Sequence, residues 1–562
     1  MGVQSQETEK DNFILQAGIL AAAGIITRII GLLYRSPMTA VIGELGLGYY
    51  QAAYGFYTIV LLVSSYSIPS AISKLIAPKL AVREYRNAHR LFYCALGYVM
   101  AVGLIASLFL FFAAEWFVEE AAVPVLRTFA PTIFIFGLLG VLRGYFQAHR
   151  SMVQTSLSQI LEQIANAVVS VGGACLLIKW GIGSMEMPME ETSQVKRAVL
   201  GAIGSAFGTG TGVLTALIFM YLMYLLNRKT ILRRVAKDEH TETDSYLTMV
   251  KTITLVVTPF VLSTAIYNLN GTVMNYLYTK ILPGVKGLDS NLQYVNYGIY
   301  NGQSMTVFNI PIAFATAMAS AMIPSVAQAC AAGKRDLARE KIAAAIKATM
   351  LISIPSAAGL FALAKPVMYV LFPRPDEVVS LAGRLLMVLS VAVILYALST
   401  LSNSILQGLG RVHAPVFHAG IALVIQTIVS VILLFYTKLD LYGLAIANIL
   451  YSFIVCTLNQ IAMKKAVNFQ LEWKKTFLLP GAAAVIMGIV VKGAYDVIFY
   501  FVRFLQLKLH LTVVFSLLPT VLLGVVVYFV ALLRLKAVTE EELRDLPKGH
   551  VIVKIAKKCR IL

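Results

Sequence analysis

The chain has 562 residues, 58% of them hydrophobic and only 13% charged, with a formal net charge of +19 at pH 7. Ordinary soluble domains carry about 25% charged residues, so a water-soluble globular fold is excluded and a lipid bilayer is the solvent. The basic balance follows from positive loops held at a cytoplasmic face and from anionic headgroups, which makes nucleic acid the weaker explanation; no nucleic-acid partner is expected.

A helix crossing about 30 Å of hydrocarbon needs about 20 apolar residues, and open strands or loops would leave backbone groups unpaired in lipid. The apolar runs place spans near residues 13–34, 49–72, 91–113, 124–146, 152–178 and 199–226. Further spans fall near 248–272, 295–326, 345–371, 379–407, 413–437, 441–462, 477–500 and 511–534. That makes about fourteen helices, an all-α polytopic membrane protein, and the polar segments between them are too short to fold alone. The first run follows the polar leader MGVQSQETEKDN and contains Arg28, unlike the short core of a cleavable signal, so it is expected to stay as the first span.

Basic residues in short loops are retained in the cytoplasm. Lys74, Lys79, Arg83, Arg86 and Arg90 follow the second span, Arg150 the fourth, and Arg228, Lys229, Arg233, Arg234 and Lys237 the sixth. The opposite loops are poorer in Lys and Arg and partly acidic, as in EWFVEE at 115–120 and MEMPMEE at 185–191. Both termini are therefore expected in the cytoplasm.

Cys94, Cys175, Cys330, Cys456 and Cys559 form no CxxC pair and have no His at zinc spacing, so no metal site is expected. FGTGTG at 207–212 lacks the Lys-Ser or Lys-Thr of a phosphate loop. Gly204, Gly208 and Gly212 instead recur every fourth residue in the sixth span, a spacing that lets two helices approach closely.

LRGYFQAHRSMVQT near the fourth span and SNSILQGLGRVHAP near the tenth align Gln147 with Gln407, and the segments after the second and eighth spans match at a similar offset. A six-helix unit duplicated without inversion implies two pseudo-symmetric lobes, 1–247 and 248–470, with 471–562 an appendage of two helices and a basic cytoplasmic tail. Such lobes imply a substrate path between them. Arg28 lies about 20 Å along the first span at 1.5 Å per residue, and Arg35 follows seven residues on, on the same face. An arginine within a span is costly and is expected to face a wet cavity or a partner. For Arg28 that reading outweighs snorkelling, whereas for Arg35 both readings stand.

The fifth span carries Thr155, Gln159, Glu162, Gln163 and Asn166 along one side. Two readings stand: a polar network within the first lobe, with Glu162 neutralising Arg28 or Arg143, or direct contact with substrate or ion. Asn268, Asn275, Asn301 and Asn309 with Gln303 place further amides where hydrocarbon would reject them, as the other wall. Arg143 and Arg150, at the inner ends of the fourth and fifth spans, read as topology anchors or as part of an inner gate.

RGYFQAHRSMVQTSLSQILEQ closely resembles the RGYFQG-x-x-x-M-x-PT-x-SQ-x-x-EQ pattern of the polysaccharide transporter branch of the multidrug/oligosaccharidyl-lipid/polysaccharide (MOP) exporter superfamily. ITRIIGLLYRSPMTAVIG and IPSAISKLIA look like the first two helices of its stage V sporulation protein B and lipid II flippase members. The resemblance implies a fourteen-helix, two-lobed, MATE-like flippase. Its cargo would be an undecaprenyl-pyrophosphate-linked saccharide, lipid II or a related precursor, moved from the inner to the outer leaflet by alternating access for cell-wall or polysaccharide synthesis. In lipid II flippases, arginines on the first helix face the central cavity and meet the pyrophosphate; Arg28 and Arg35 match those positions, spaced one residue further apart. The cavity arginines of the second and eighth helices have no counterpart, and Gln51, Tyr54, Asn301 and Gln303 stand there. Ala148 and Gln154 replace the family's Gly and Pro.

The resemblance further implies a transporter and not an enzyme, without cofactor, driven by membrane potential, Na+ or H+. It would act as a monomer among the lipids of a Gram-positive cytoplasmic membrane. The nearest rival, a cation-coupled multidrug antiporter of the same superfamily, wants acidic residues deep in the first lobe, where Glu162 is the main one. A membrane-embedded glycosyltransferase would need a carboxylate or histidine constellation, and His89, His149, His240, His413, His418, His510 and His550 are scattered.

Overall fold

The structure, a computed structural model, describes residues 23–24, 26–66, 68–149, 151–186, 190–238, 244–331, 333–411, 413–469, 472–538 and 540. Among them every regular element is helical, and eleven stretches are long and apolar enough to cross a bilayer. The chain is thus an all-α polytopic membrane protein. It forms two compact units, Met1–Gly298 and Ile299–Leu562.

The first unit begins with α1, Arg35–Leu61, which is interrupted at Gly43 (φ 72, ψ 177). A side chain is rarely compatible with that φ. The connection expected over 35–48 is therefore a break at one glycine, with helical backbone resuming directly after it. A second glycine of α1 is dictated by contact: a Cβ on Gly48 would lie 1.9 Å from the Tyr294 carbonyl oxygen. After α1 comes a π-turn, Leu62–Tyr66, then α2, Ile68–Ala81. The rest of the unit comprises α3 (Tyr85–Phe112), α4 (Val123–Ala148), α5 (Met152–Ile182), α6 (Glu191–Ala236), α7 (Tyr246–Tyr276) and α8 (Ser290–Tyr297). Helix α6 has 46 residues, about 69 Å at 1.5 Å per residue, so it overruns the apolar run at 199–226 at both ends.

The small-residue run in α6 is a seam against α5. A Cβ on Gly204 would lie 2.5 Å from the Gly173 carbonyl oxygen, one on Gly208 2.5 Å from the Ser170 nitrogen, and one on Gly212 2.6 Å from the Glu162 carbonyl oxygen. Removing side chains at every fourth position lets the two backbones touch, and dispersion then does what the hydrophobic effect cannot do between helices in lipid. Across the seam the Ser205 hydroxyl donates to the Ser170 carbonyl at 3.2 Å.

The second unit contains α9 (Met305–Ala331), α10 (Arg335–Ala362), α11 (Asp376–Gly408), α12 (His413–Tyr436), α13 (Leu441–Val467), α14 (Leu479–Arg503) and α15 (Leu509–Arg534). Helix α11 packs on α9, α10 and α13, and α14 packs on α15 and α10. Ile346, Met350, Leu401, Met487 and Leu517 share one core, so α14 and α15 are integral to this unit's packing. By compactness the first unit runs through Gly298, and α7 packs on its α1, α2 and α3.

The units carry related polar ties. In the first, Arg143 Nε donates to Ser158 Oγ at 2.9 Å. About 260 residues further along, Asn403 and His418 meet through Asn459, whose Nδ2 donates to Asn403 Oδ1 and whose Oδ1 lies 2.7 Å from His418 Nδ1. Seam serine Ser170 has Ser430, fully buried on α12, at the same offset.

Gly208→Val forces a branched side chain into backbone. We expect it to lower the stability of the full chain by about 1–3 kcal/mol, read as a lower thermal unfolding midpoint in detergent, whereas the same change at Gly97, with open space around its Cβ position, leaves the midpoint unmoved.

Candidate functional site

A cavity of about 230 Å³ lies within the first unit. Its walls come from α1 on both sides of the Gly43 break, the π-turn, α4, α5 and α6. From α1 come Arg35, Tyr50, Tyr54 and Tyr57, with Tyr34 just before the helix; the π-turn contributes Leu62 and Tyr66. Opposite them stand Phe136, then Glu162, Gln163 and Asn166 on the polar side of α5, and Thr209 on the seam helix.

The α5 stripe is organised by one ion pair. Arg143, only 6% exposed, donates from Nη2 to Glu162 Oε2 at 2.7 Å and from Nε to Ser158. A carboxylate in this setting needs a partner because desolvation outweighs whatever an isolated charge would gain. Asn166 accepts from the Ser170 hydroxyl at 2.8 Å, and the Tyr50 and Thr209 hydroxyls stand 3.4 Å apart across the cavity. Along the stripe, Glu162 is tied to Arg143, and Gln163 and Asn166 border open space. Among the described residues, no group of three or more His, Cys, Asp or Glu is placed to hold a metal ion.

The sequence candidates separate. Arg35 lines the cavity, as does Tyr54. Arg28 is exposed and absent from the lining. Gln51 is buried in α1, away from the lining. Asn275 is fully buried and donates to the Ala52 carbonyl at 2.9 Å, tying α7 to α1. Asn268 is exposed on α7, and Asn301 and Gln303 lie in the second unit, on the π-turn Gly298–Ser304. Arg143, in the last turns of α4, is the buried partner of Glu162. Arg150 lies outside the described residues. Beside it, at the end of α4, burial pushes the His149 imidazole below its ordinary pKa, against the bond to the Tyr145 carbonyl, and Arg234 adds to the depression.

Of the aromatic wall, the sequence pointed to Tyr54 alone. Tyr50 and Tyr54 stack at 5.9 Å and 8°, and Tyr66 and Phe136 at 6.4 Å and 9°. The available signal was the run YYQAAYGFY, where Tyr50, Tyr54 and Tyr57 recur at i, i+4 and i+7.

Residues 15–330 match the family model described as "Polysaccharide biosynthesis protein", and residues 302–432 match the MatE model. The chain is 24% identical over 507 residues to the lipid II flippase MurJ of Bacillus subtilis (strain 168), covering 86% of this chain and 89% of that one. It is 23% identical over 551 residues to stage V sporulation protein B of the same organism, covering 97% and 100%. In three dimensions it resembles a solved lipid II flippase MurJ in an inward closed conformation, with a TM-score of 0.65 at 15% identity over 91% of this chain and 97% of that one.

Removing one partner of the buried pair leaves the other charge stranded. Glu162→Gln is expected to cost about 3–5 kcal/mol; in a double-mutant cycle with Arg143→Gln, most of that loss should reappear as coupling in detergent unfolding midpoints.

Proposed function

We propose that this chain, which belongs to the polysaccharide biosynthesis protein family of the MOP exporter superfamily, is a flippase for a saccharide linked to a polyprenyl pyrophosphate. The direction is inner to outer leaflet, by alternating access, with lipid II or a related wall, capsule or spore precursor as cargo. Transport and not catalysis is the activity. The repeat boundary at 247/248, cytoplasmic termini, a monomer and drive by membrane potential, Na+ or H+ complete the proposal.

One observation carries it: Arg35 stands in the wall of a polar cavity whose carboxylate, Glu162, is already bonded to Arg143. A pyrophosphate cannot cross hydrocarbon unaided, and a guanidinium offers it paired, directed hydrogen bonds in surroundings less screened than bulk water. The amides of Gln163 and Asn166 suit sugar hydroxyls. The prenyl tail needs no site of its own, because it remains in lipid while the head passes. A cationic drug would find the reverse: a guanidinium on the lining and a carboxylate committed elsewhere.

In reconstituted vesicles, Arg35→Ala is expected to reduce flipping of a fluorescent lipid-linked saccharide at least about tenfold, read by a membrane-impermeant quencher, while Arg28→Ala retains most of it. Equal transport by Arg35→Ala and the unmodified chain defeats the assignment. Dye efflux that falls with Glu162→Gln would favour the antiporter, and rescue of a strain lacking its lipid II flippase would name the cargo.

A further inference from the structure

The π-turn Leu62–Tyr66 interrupts an otherwise α-helical stretch, and such insertions concentrate at functional sites. Here its effect is to bring Leu62 and Tyr66 onto the cavity that Tyr54 and Thr58 already line one and two turns earlier. Tyr66 is 54% exposed and yet lies flat on Phe136. Tyr54 lies flat on Tyr50, which is 3% exposed. All four rings stand in the cavity wall, as two parallel pairs.

We infer that Tyr54 and Tyr66 are a platform for a pyranose ring, the sugar joined directly to the phosphate that Arg35 receives. The inference rests on the flippase reading and assigns the sugar its place in that same cavity. An aromatic face carries negative charge density and attracts the polarised C–H groups on the flat side of a sugar, while the ring's hydroxyls need acceptors and donors at its edge. Gln163, Asn166 and Thr209 supply those at the rim. Aromatic faces also hold quaternary ammonium ions, but such cages work with negative charge nearby, and Arg35 with the Arg143-bound Glu162 opposes that guest. At about 230 Å³ the cavity is below the roughly 300 Å³ at which drug-sized sites begin. It has room for one ring and a phosphate, so it reads the first sugar and leaves the remainder of the head outside.

The test is calorimetric binding to the full chain in detergent micelles, with N-acetylglucosamine 1-phosphate, inorganic pyrophosphate and tetraphenylphosphonium as probes. The unmodified chain is expected to bind the sugar phosphate. Tyr66→Ala, at an exposed position, should weaken that binding about tenfold, the size of a lost ring contact, and leave pyrophosphate binding within about twofold; Tyr66→Phe, which keeps the ring, should behave as the unmodified chain. Tyr54→Phe and Tyr54→Ala repeat the comparison on the other pair. Unchanged sugar-phosphate affinity in Tyr66→Ala and Tyr54→Ala, equal losses for both anions, or binding of the phosphonium alone overturns the platform. Sugar-phosphate binding with the expected tyrosine dependence, in a chain that moves no lipid-linked saccharide in vesicles, upholds the platform and defeats the flippase reading; transport untouched by Tyr66→Ala and Tyr54→Ala does the opposite.

Discussion

The Arg143–Glu162 pair is the contact on which the first unit's chemistry depends. Both charges sit on helices that cross hydrocarbon, where an uncompensated carboxylate or guanidinium would protonate, find water or refuse insertion. Paired at 2.7 Å, they fasten α4 to α5 and remove the carboxylate from the ligand's account of the cavity. The guanidinium of Arg35 stands in the same lining.

Around that pair the backbone is arranged by absence. Gly204, Gly208 and Gly212 carry nothing, so α6 lies directly on α5 and the α5 amides are pressed toward α1. Gly43 turns the chain where a side chain would not permit it, and the residues after it bring Tyr50, Tyr54 and Tyr57 to the opposite wall. The π-turn adds Tyr66. Rigid seams and stacked rings give a polar chamber with fixed walls, a form suited to repeated capture of one class of head.

Under the proposed function, selectivity follows from what each wall rejects. A cation meets guanidinium, and an apolar drug must strip Gln163, Asn166 and Thr209 of hydration without replacing it. In that proposal a sugar phosphate satisfies both sides, with anionic oxygens for the arginine and hydroxyls for the amides. Discrimination thus arises as much from the penalties set against other guests as from attraction to the favoured one.

Much was determined by residue order alone. Apolar runs of about 20 residues can be nothing but spanning helices in lipid, so the all-helical class and most helix positions were legible, as was the small-residue seam, which local spacing encodes. The one-sided polarity of α5 was legible for the same reason, since helical periodicity assigns faces without knowing neighbours. The identity of partners was not. Whether Glu162 met Arg28 or Arg143 depended on the approach of α4 to α5. The position of Tyr66 depended on one π-turn that no periodicity announces. Those are tertiary facts: a backbone irregularity of a single residue rotates every side chain beyond it, and only packing against other helices decides where such an irregularity is tolerated.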